Sequence, residues 1–326
     1  MSPLTLKGTY WVTVRQYRRT LWLAGALVVL ALAVIGGLRI WDMQYPDVYL
    51  QDGYEVPSHE NRGFRTLTLA LDHLGVGMLL LPLAVGAFVA GPLVAREFES
   101  GTYKLSLTQS VNPTAWLRSK LITATAVALL TCLALMGVFR IGWDRMPDAW
   151  HRGWDPDPYA TTGIVLFAYL LAAVAVGALI GQLMRRTLVA MAVTGVVMGV
   201  VLLVLGAFRW SFLPVKTVTG PAGPTLGVPA NSLMMDSGRL TSSGDRFAPS
   251  ICWDEVNRTP GLDRMEDGGM KLFDRCLAQH DVTGQYIDFH PQSHFWPTQL
   301  IETGIVLALA ALAALAAFRV LRARHP

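Results

Sequence analysis

The sequence predicts an all-α integral membrane protein with six transmembrane helices. It adds an N-terminal amphipathic interfacial helix and a small extracytoplasmic domain before the last span. Three observations carry that prediction. The 326 residues are 52% hydrophobic and only 15% charged, where a soluble domain carries nearer a quarter charged. The apolar residues are gathered into runs of the length a bilayer requires, about 20 residues at 1.5 Å each. The charges are sorted between the ends of those runs by sign.

Six runs qualify: Leu21–Ile40, Leu69–Ala95, Leu121–Phe139, Thr161–Leu183, Thr187–Phe208 and Gln299–Phe318. They divide the chain into a cytoplasmic interfacial helix (1–20), spans one to five (21–208, with a cytoplasmic segment 96–120), an extracytoplasmic loop domain (209–297) and the last span with its tail (298–326). In residues 3–20, Trp11, Val14, Tyr17 and Leu21 recur at helical spacing with Arg15, Arg18 and Arg19 between them. That pattern suits a helix lying on the inner leaflet. The first apolar run starts only at Leu21 and lacks a small-residue cleavage site at its end, so it reads as a retained span. Pro82 and Pro92 in the second run are tolerable in a membrane bundle and predict kinks. The fourth and fifth runs are joined by "MRR", a tight hairpin, and carry Gly177–Gly181 and Gly195–Gly199, two GxxxG spacings that let helix backbones approach closely.

Orientation follows from the charges. With the N-terminus inside, the inner segments 1–20, 96–120, 184–186 and 319–326 hold 13 of the 27 Lys and Arg but only two of the 23 acids, Glu97 and Glu99. The positive-inside rule therefore places both termini in the cytoplasm. The same map assigns the basic pI near 9.0 to the membrane surface and argues against a nucleic-acid partner. The 22 arginines against 5 lysines reflect a GC-rich genome rather than a function.

Several function classes are excluded. Arg39, Asp72, His73, Arg140 and Glu302 all lie near outer ends of spans, and no ionisable residue lies near the middle of one. Such residues mark proton relays and ion-coupled transporters. There is no HExxH, no paired intramembrane carboxylate and no GxxxxGK[ST]. The chain is therefore not expected to be an enzyme, and any energy for transport must come from another subunit.

The cytoplasmic segment "AREFESGTYKLSLTQSVNPTAWLRSKL" is the most informative stretch. Arg96 and Glu99 stand three apart, a spacing that allows a helical ion pair. Gly101 suits a left-handed helix end. "TYKLSLTQ" follows as a short helix or an extended turn. Asn112 and Pro113 restart a helix as N-cap and first residue, with Trp116 at the interface and Arg118 and Lys120 at the headgroups. The result is a compact knob below the membrane.

This stretch resembles the loop between the second and third spans of ABC type-2 exporter permeases, in a subgroup from GC-rich bacteria. The resemblance rests on Arg96, Glu97, Glu99, Gly101, Thr102, Leu105, Leu107, Pro113 and Lys120, and on "FWPTQLIETGIVLALAA" for the last span. One departure is "TQSVNP", which delays the proline. The resemblance implies that the segment, with Arg96, Glu97, Glu99, Gly101, Thr102, Tyr103 and Leu105, couples to a separate ATPase subunit. It further implies a second permease subunit, membrane lipid around the spans, ATP and Mg on the partner ATPase, no cofactor on this chain, and a path lined by the second and fifth spans. The cargo is expected to be apolar or amphiphilic, moved across a bacterial cytoplasmic membrane by alternating access. The alternative is a non-transporting membrane sensor, or an anchored enzyme acting through its external loop. Glu97 and Glu99, alone among inner cations, are expected to pair with Arg15, Arg18 or Arg19 and so tie the interfacial helix to the second span.

In the external loop, Cys252 and Cys276 are the only cysteines outside the membrane. They predict a disulfide across a 24-residue separation, worth roughly 3 kcal/mol on the loop-entropy picture. "PVKTVTGPAGPTLGVPANS" reads as irregular, "MKLFDRCLAQH" as helical and "GQYIDF" as a strand. His280, His290 and His294 are expected to bind no metal, since Pro291 follows one histidine and no carboxylate stands at matching spacing. Trp296 and Pro297 read as an interface anchor. Glu302, about one turn into the last span, is the candidate external gate, with snorkelling to the outer surface or pairing to Arg39 or Arg140 as the alternative.

Overall fold

A computed structural model describes residues 15, 18–45, 48–51, 54–57, 62–103, 112–144, 156–223, 226–259 and 267–324. It contains six helices long and apolar enough to cross a membrane: Arg18–Asp42, Arg62–Ser100, Pro113–Trp143, Val165–Met184, Thr187–Ser211 and Gln292–Ala323. They are called the first to sixth spans. The chain divides into two compact units. The span unit is Met1–Trp210 with Thr298–Pro326, and the loop unit is Ser211–Pro297.

Most helices outrun the apolar runs that announced them. The second spans 39 residues, about 58 Å at the α-helical rise, against a hydrocarbon core of about 30 Å. Its two prolines change the backbone rather than break it. Arg62–Ala84 is α-helical around Pro82, Val85–Ala90 is a π-helical turn, and Gly91–Ser100 resumes the α-helix. The cause is local. Pro92 has no N–H and its ring would clash with the carbonyl four residues back. The turn before it widens, and the Gly91 N–H donates to the Gly86 carbonyl five residues back.

The fourth span begins at Val165, four residues later than the apolar run suggests. Residues Pro156–Thr162 form a separate short helix, and the break comes at Gly163. This span is the centre of the unit, with Leu166, Tyr169, Leu170, Ala173 and Ala178 all within 1% of complete burial. Its GxxxG spacing seats the second span. A Cβ on Gly177 would stand 2.5 Å from the Ala90 Cβ, and one on Gly181 would stand 2.8 Å from the Gly91 carbonyl oxygen. The second spacing is looser: Cβ atoms on Gly195 and Gly199 would meet Ala87 and Leu83 at an ordinary 3.4 Å. The π turn of the second span is therefore held between the fourth and fifth spans.

Of the expected interfacial helix, residues 1–14, 16 and 17 lie outside the described residues. Arg15 is helical and exposed, and Arg18 and Arg19 are exposed in the first turn of the first span itself. A two-stranded hairpin, β1 (Val48–Gln51) and β2 (Tyr54–Pro57), connects the first and second spans.

The loop unit is built on an antiparallel sheet of order β3-β6-β4-β5: β3 Lys216–Pro221, β4 Leu233–Thr241, β5 Arg246–Phe247 and β6 Val282–His290. β3 corrects the expectation of an irregular start. Its Thr217, Val218 and Thr219 favour extended backbone and pair along β6, which outweighs the nearby prolines and glycines. Helices Ser250–Arg258 and Asp267–Gln279 are joined by the Cys252–Cys276 disulfide. Around it Val256 and Phe273 are buried, and Trp253 stacks on Phe273 at 4.1 Å. Across the sheet, Asp288 accepts from the Thr217 hydroxyl at 2.6 Å and from Arg246 at 2.7 Å. Asp236 accepts from Tyr286 at 2.9 Å, and the Arg246 guanidinium lies 4.3 Å over the Tyr286 ring.

Two outcomes are expected. Gly177→Leu drives a side chain into the second-span backbone and should lower thermal stability in detergent by about 1–3 kcal/mol or more, whereas Gly195→Ala should be near neutral. The Thr217 hydroxyl holds the Asp288 carboxyl below its ordinary value; loss of water pushes the other way, and the hydrogen bond and charge of Arg246 add to the lowering. A depressed carboxylate stabilises the fold above its unfolded pKa of about 3.9, and that contribution is lost as pH falls through the lower folded value. The protection of β6 amides, exchange corrected for its intrinsic pH dependence, should fall as pH drops through that range, and Asp288→Asn should flatten the dependence.

Candidate functional site

The two feet of the segment between the second and third spans are fastened to each other. The second-span helix ends at Gly101, whose φ of +72° is left-handed, a conformation glycine adopts without penalty. The third span restarts at Pro113 under Asn112, whose side chain accepts the Thr114 N–H at 2.9 Å. One turn before the first foot and two turns after the second, Glu97 meets Lys120. The Lys120 ammonium donates to Glu97 Oε1 at 2.6 Å, and the Trp116 indole N–H donates to Oε2 at 3.1 Å. All three residues are buried, with Lys120 only 2% exposed. Phe98 and Tyr103 pack ring to ring at 4.7 Å, and Phe98 meets Trp116 edge-on at 6.2 Å.

This corrects three sequence expectations. Lys120 and Trp116 are not headgroup and interface residues, because each is turned inward onto Glu97, leaving Arg118 exposed. Glu97 meets Lys120 and Trp116 of the third span, and most of the interfacial helix to which it is expected to pair lies outside the described residues. Glu99 also points elsewhere. It is exposed and accepts from the Thr187 N–H at 2.9 Å and from the Thr187 hydroxyl. Thr187 opens the fifth span, so Glu99 caps that helix and sits favourably against the positive end of its dipole. Arg96 is exposed and unpaired with Glu99 among the described residues. The Thr102 hydroxyl meets that of Ser100 at 2.8 Å. Leu105 lies outside the described residues.

A second buried carboxylate stands at the other end of the spans. Glu302 is fully buried and accepts four hydrogen bonds: Arg209 Nε and Nη2 at 2.8 and 2.9 Å, Tyr159 at 3.0 Å and Tyr169 at 2.6 Å. The Arg209 guanidinium also lies 4.2 Å over the Tyr159 ring. One turn earlier, Gln299 Oε1 accepts the N–H groups of Ile164 and Val165 at 3.2 and 3.1 Å, and its amide donates to the Tyr159 carbonyl at 2.7 Å. It occupies the space at Gly163, where a Cβ would fall 2.2 Å from its side-chain carbon. Glu302 and Gln299 of the sixth span thus clasp the end of the fifth and the start of the fourth. The pairing with Arg39 or Arg140 considered from sequence does not form, since Arg39 pairs with Asp42 at 3.0 Å. Arg209, the first residue of the loop by its apolar boundary, instead turns back into the spans to meet Glu302.

In the loop unit His290 and His294 face each other with Nδ1 atoms 3.0 Å apart. Among the described residues no group of three or more His, Cys, Asp or Glu is placed to hold a metal.

The family model described as ABC-2 membrane transporter related matches residues 23–209, more than half of the chain, from within the first span to near the end of the fifth. The chain belongs to that family. No curated protein and no solved structure matches it. The protein is a multi-pass, permease-type membrane transporter chain, and the segment between Glu97 and Lys120 lies within the matched region.

Removing one partner from a buried pair leaves the other charge uncompensated, at a cost of roughly 3–5 kcal/mol, whereas replacing both with apolar side chains is often neutral. Lys120→Met should therefore strongly destabilise this permease in a detergent melt, and Glu97→Met/Lys120→Met should recover most of the loss. A double variant as unstable as the single would show that the ion pair is not what joins the two feet.

Proposed function

We propose that this chain is the transmembrane permease subunit of an ATP-binding-cassette exporter, with both termini in the cytoplasm of a bacterium. It works with a second permease subunit and a separate ATPase that holds ATP and Mg, and moves an apolar or amphiphilic substrate by alternating access. The observation that carries this reading is the segment whose two feet are locked together by Glu97 and Lys120. A solvated linker needs no buried ion pair at its base. A lever does, because a push on the segment must reach the second and third spans together rather than bend one foot. Glu99 extends the same connection to the fifth span through Thr187.

The sorted charges support the orientation, with 13 cations on the proposed inner side and both of its acids committed to interhelical contacts. The uncharged middles of the spans favour apolar cargo over ions, and the path is placed along the second and fifth spans. Glu302 serves as the external gate. Its four hydrogen bonds join the fourth, fifth and sixth spans, so opening between them requires Arg209 and both tyrosines to leave the carboxylate or move with it.

Copurification of the chain with its ABC ATPase, followed by transport in liposomes, tests this reading. Glu97→Met/Lys120→Met should keep the ATPase bound and hydrolysing while transport per ATP falls roughly tenfold, within the usual range of coupling energies. Gly101→Pro, which reshapes the segment itself, should lose the ATPase. A wild-type chain that recruits no ATPase rejects the proposal.

A further inference from the structure

Between the first, second and third spans lies a groove of about 380 Å³ with an almost wholly apolar lining that includes Leu23, Leu27, Phe88, Leu93, Val127 and Thr131. It runs from Thr123 to Thr131 along the third span and from Thr20 to Leu27 along the first. Leu23 and Phe88, at 72% and 68% exposed, flank it toward the lipid. Neither the transport reading nor the family match assigns this groove a ligand.

Size limits the occupant. An elongated apolar space of this volume along three helices accommodates a single hydrocarbon chain. Chemistry limits it further. Within the bilayer a polar occupant would bury groups that the apolar walls cannot satisfy, and an empty groove would forfeit contacts along its whole lining.

Charge selects the headgroup. Arg19 stands four residues before Leu23 and Arg18 three before Leu21, one turn outward on the groove face of the first span. Both are exposed. Guanidinium groups match phosphate oxygens by paired hydrogen bonds. On the second span the position one turn outward of Leu93 is Glu97, and its carboxylate is already taken by Lys120 and Trp116, so the mouth keeps its positive character.

We infer that this groove binds one acyl chain of an anionic phospholipid from the leaflet on the side of the chain termini, with its phosphate on Arg18 and Arg19. The bound chain lies against Val85, Phe88 and Val89 of the π turn and beneath the Glu97–Lys120 pair. It braces the joint between the second and third spans at the level where the second span's backbone departs from α-helix. This inference does not depend on transport, and its test needs no ATPase.

The full-length protein is placed in phosphatidylcholine vesicles doped with phosphatidylglycerol, one lipid at a time carrying a diazirine in its acyl chain, then irradiated and digested. Labelling should fall on peptides spanning 20–27, 85–93 and 123–131, with phosphatidylglycerol favoured over phosphatidylcholine by roughly tenfold, as expected for two arginines near the surface. Arg18→Gln/Arg19→Gln, exposed changes that leave the core intact, should bring that preference close to one. Ala24→Trp, which fills the groove, should abolish labelling by both lipids, whereas Leu203→Trp on the exposed face of the fifth span should leave it unchanged. Equal labelling by the two lipids in the wild type, or undiminished labelling in Ala24→Trp, would each overturn the assignment.

Discussion

The contact between Glu97 and Lys120 organises the end of the spans where the chain begins and ends. It joins residues 23 positions apart, on helices that would otherwise meet only through apolar side chains. In a bilayer such side chains discriminate poorly, since lipid tails are as apolar as leucine. A charge pair shielded by Trp116 fixes one register between the second and third spans and no other, because sliding either helix by a turn would strand both charges. The two feet at Gly101 and Asn112 inherit their positions from that register. So does Phe98, whose contacts with Tyr103 and Trp116 place the aromatic layer under the knob.

The far end uses the same device with different parts. Glu302 is fully paired, as Glu97 is, but its partners come from three places in the sequence, and arginine replaces lysine. The substitution suits the geometry. A guanidinium fork satisfies two carboxylate oxygens at once, and the tyrosine hydroxyls supply the remaining donors. Gln299 completes the arrangement by capping the fourth span, whose first N–H groups have no intrahelical partner. Between these two polar layers the unit relies on close backbone contact, where Gly177 and Gly181 admit Ala90 and Gly91. Polar specificity at the ends and steric fit in the middle together determine one packing of the fourth span.

What was legible from sequence was what local rules encode. Run lengths gave six spans, Gly101 gave a left-handed helix end, Asn112–Pro113 gave a cap, and two lone cysteines gave a disulfide. What was not legible depended on pairing across the fold. Lys120 carries the pattern of an interface lysine, and nothing nearby in sequence says that it turns inward. Arg209 follows an apolar run as any anchoring cation does, while its partner lies 93 residues away. β3 was hidden because its neighbours are proline and glycine, although its own residues are β-branched. The different duties of the two acids were equally hidden. They stand two apart on a helix, about 200° around its axis, so they cannot face the same neighbour. That angle was available from sequence, and it sends Glu97 inward to the third span and Glu99 outward to the fifth.

The same reasoning locates where the second span can yield. Its Gly101 end is tied to the third and fifth spans by Glu97 and Glu99, and its α-helical body is packed through Leu67, Leu71 and Met78. The stretch between these anchors has the least backbone constraint: Pro82 and Pro92 each remove a hydrogen-bond donor, and Val85–Ala90 runs in a wider turn. A π turn can shift one residue along a helix by exchanging i→i−5 for i→i−4 bonds, and such turns recur at functional sites. Force entering at Glu97 would meet stiff α-helix until it reached Gly91. The small residues there, Gly86, Ala87, Ala90 and Gly91, let the fourth and fifth spans stay in contact through a shift of that size. Close packing and local backbone freedom usually exclude each other. Here both come from the same short side chains, which makes the π turn the least constrained point of the second span between Met78 and Glu97.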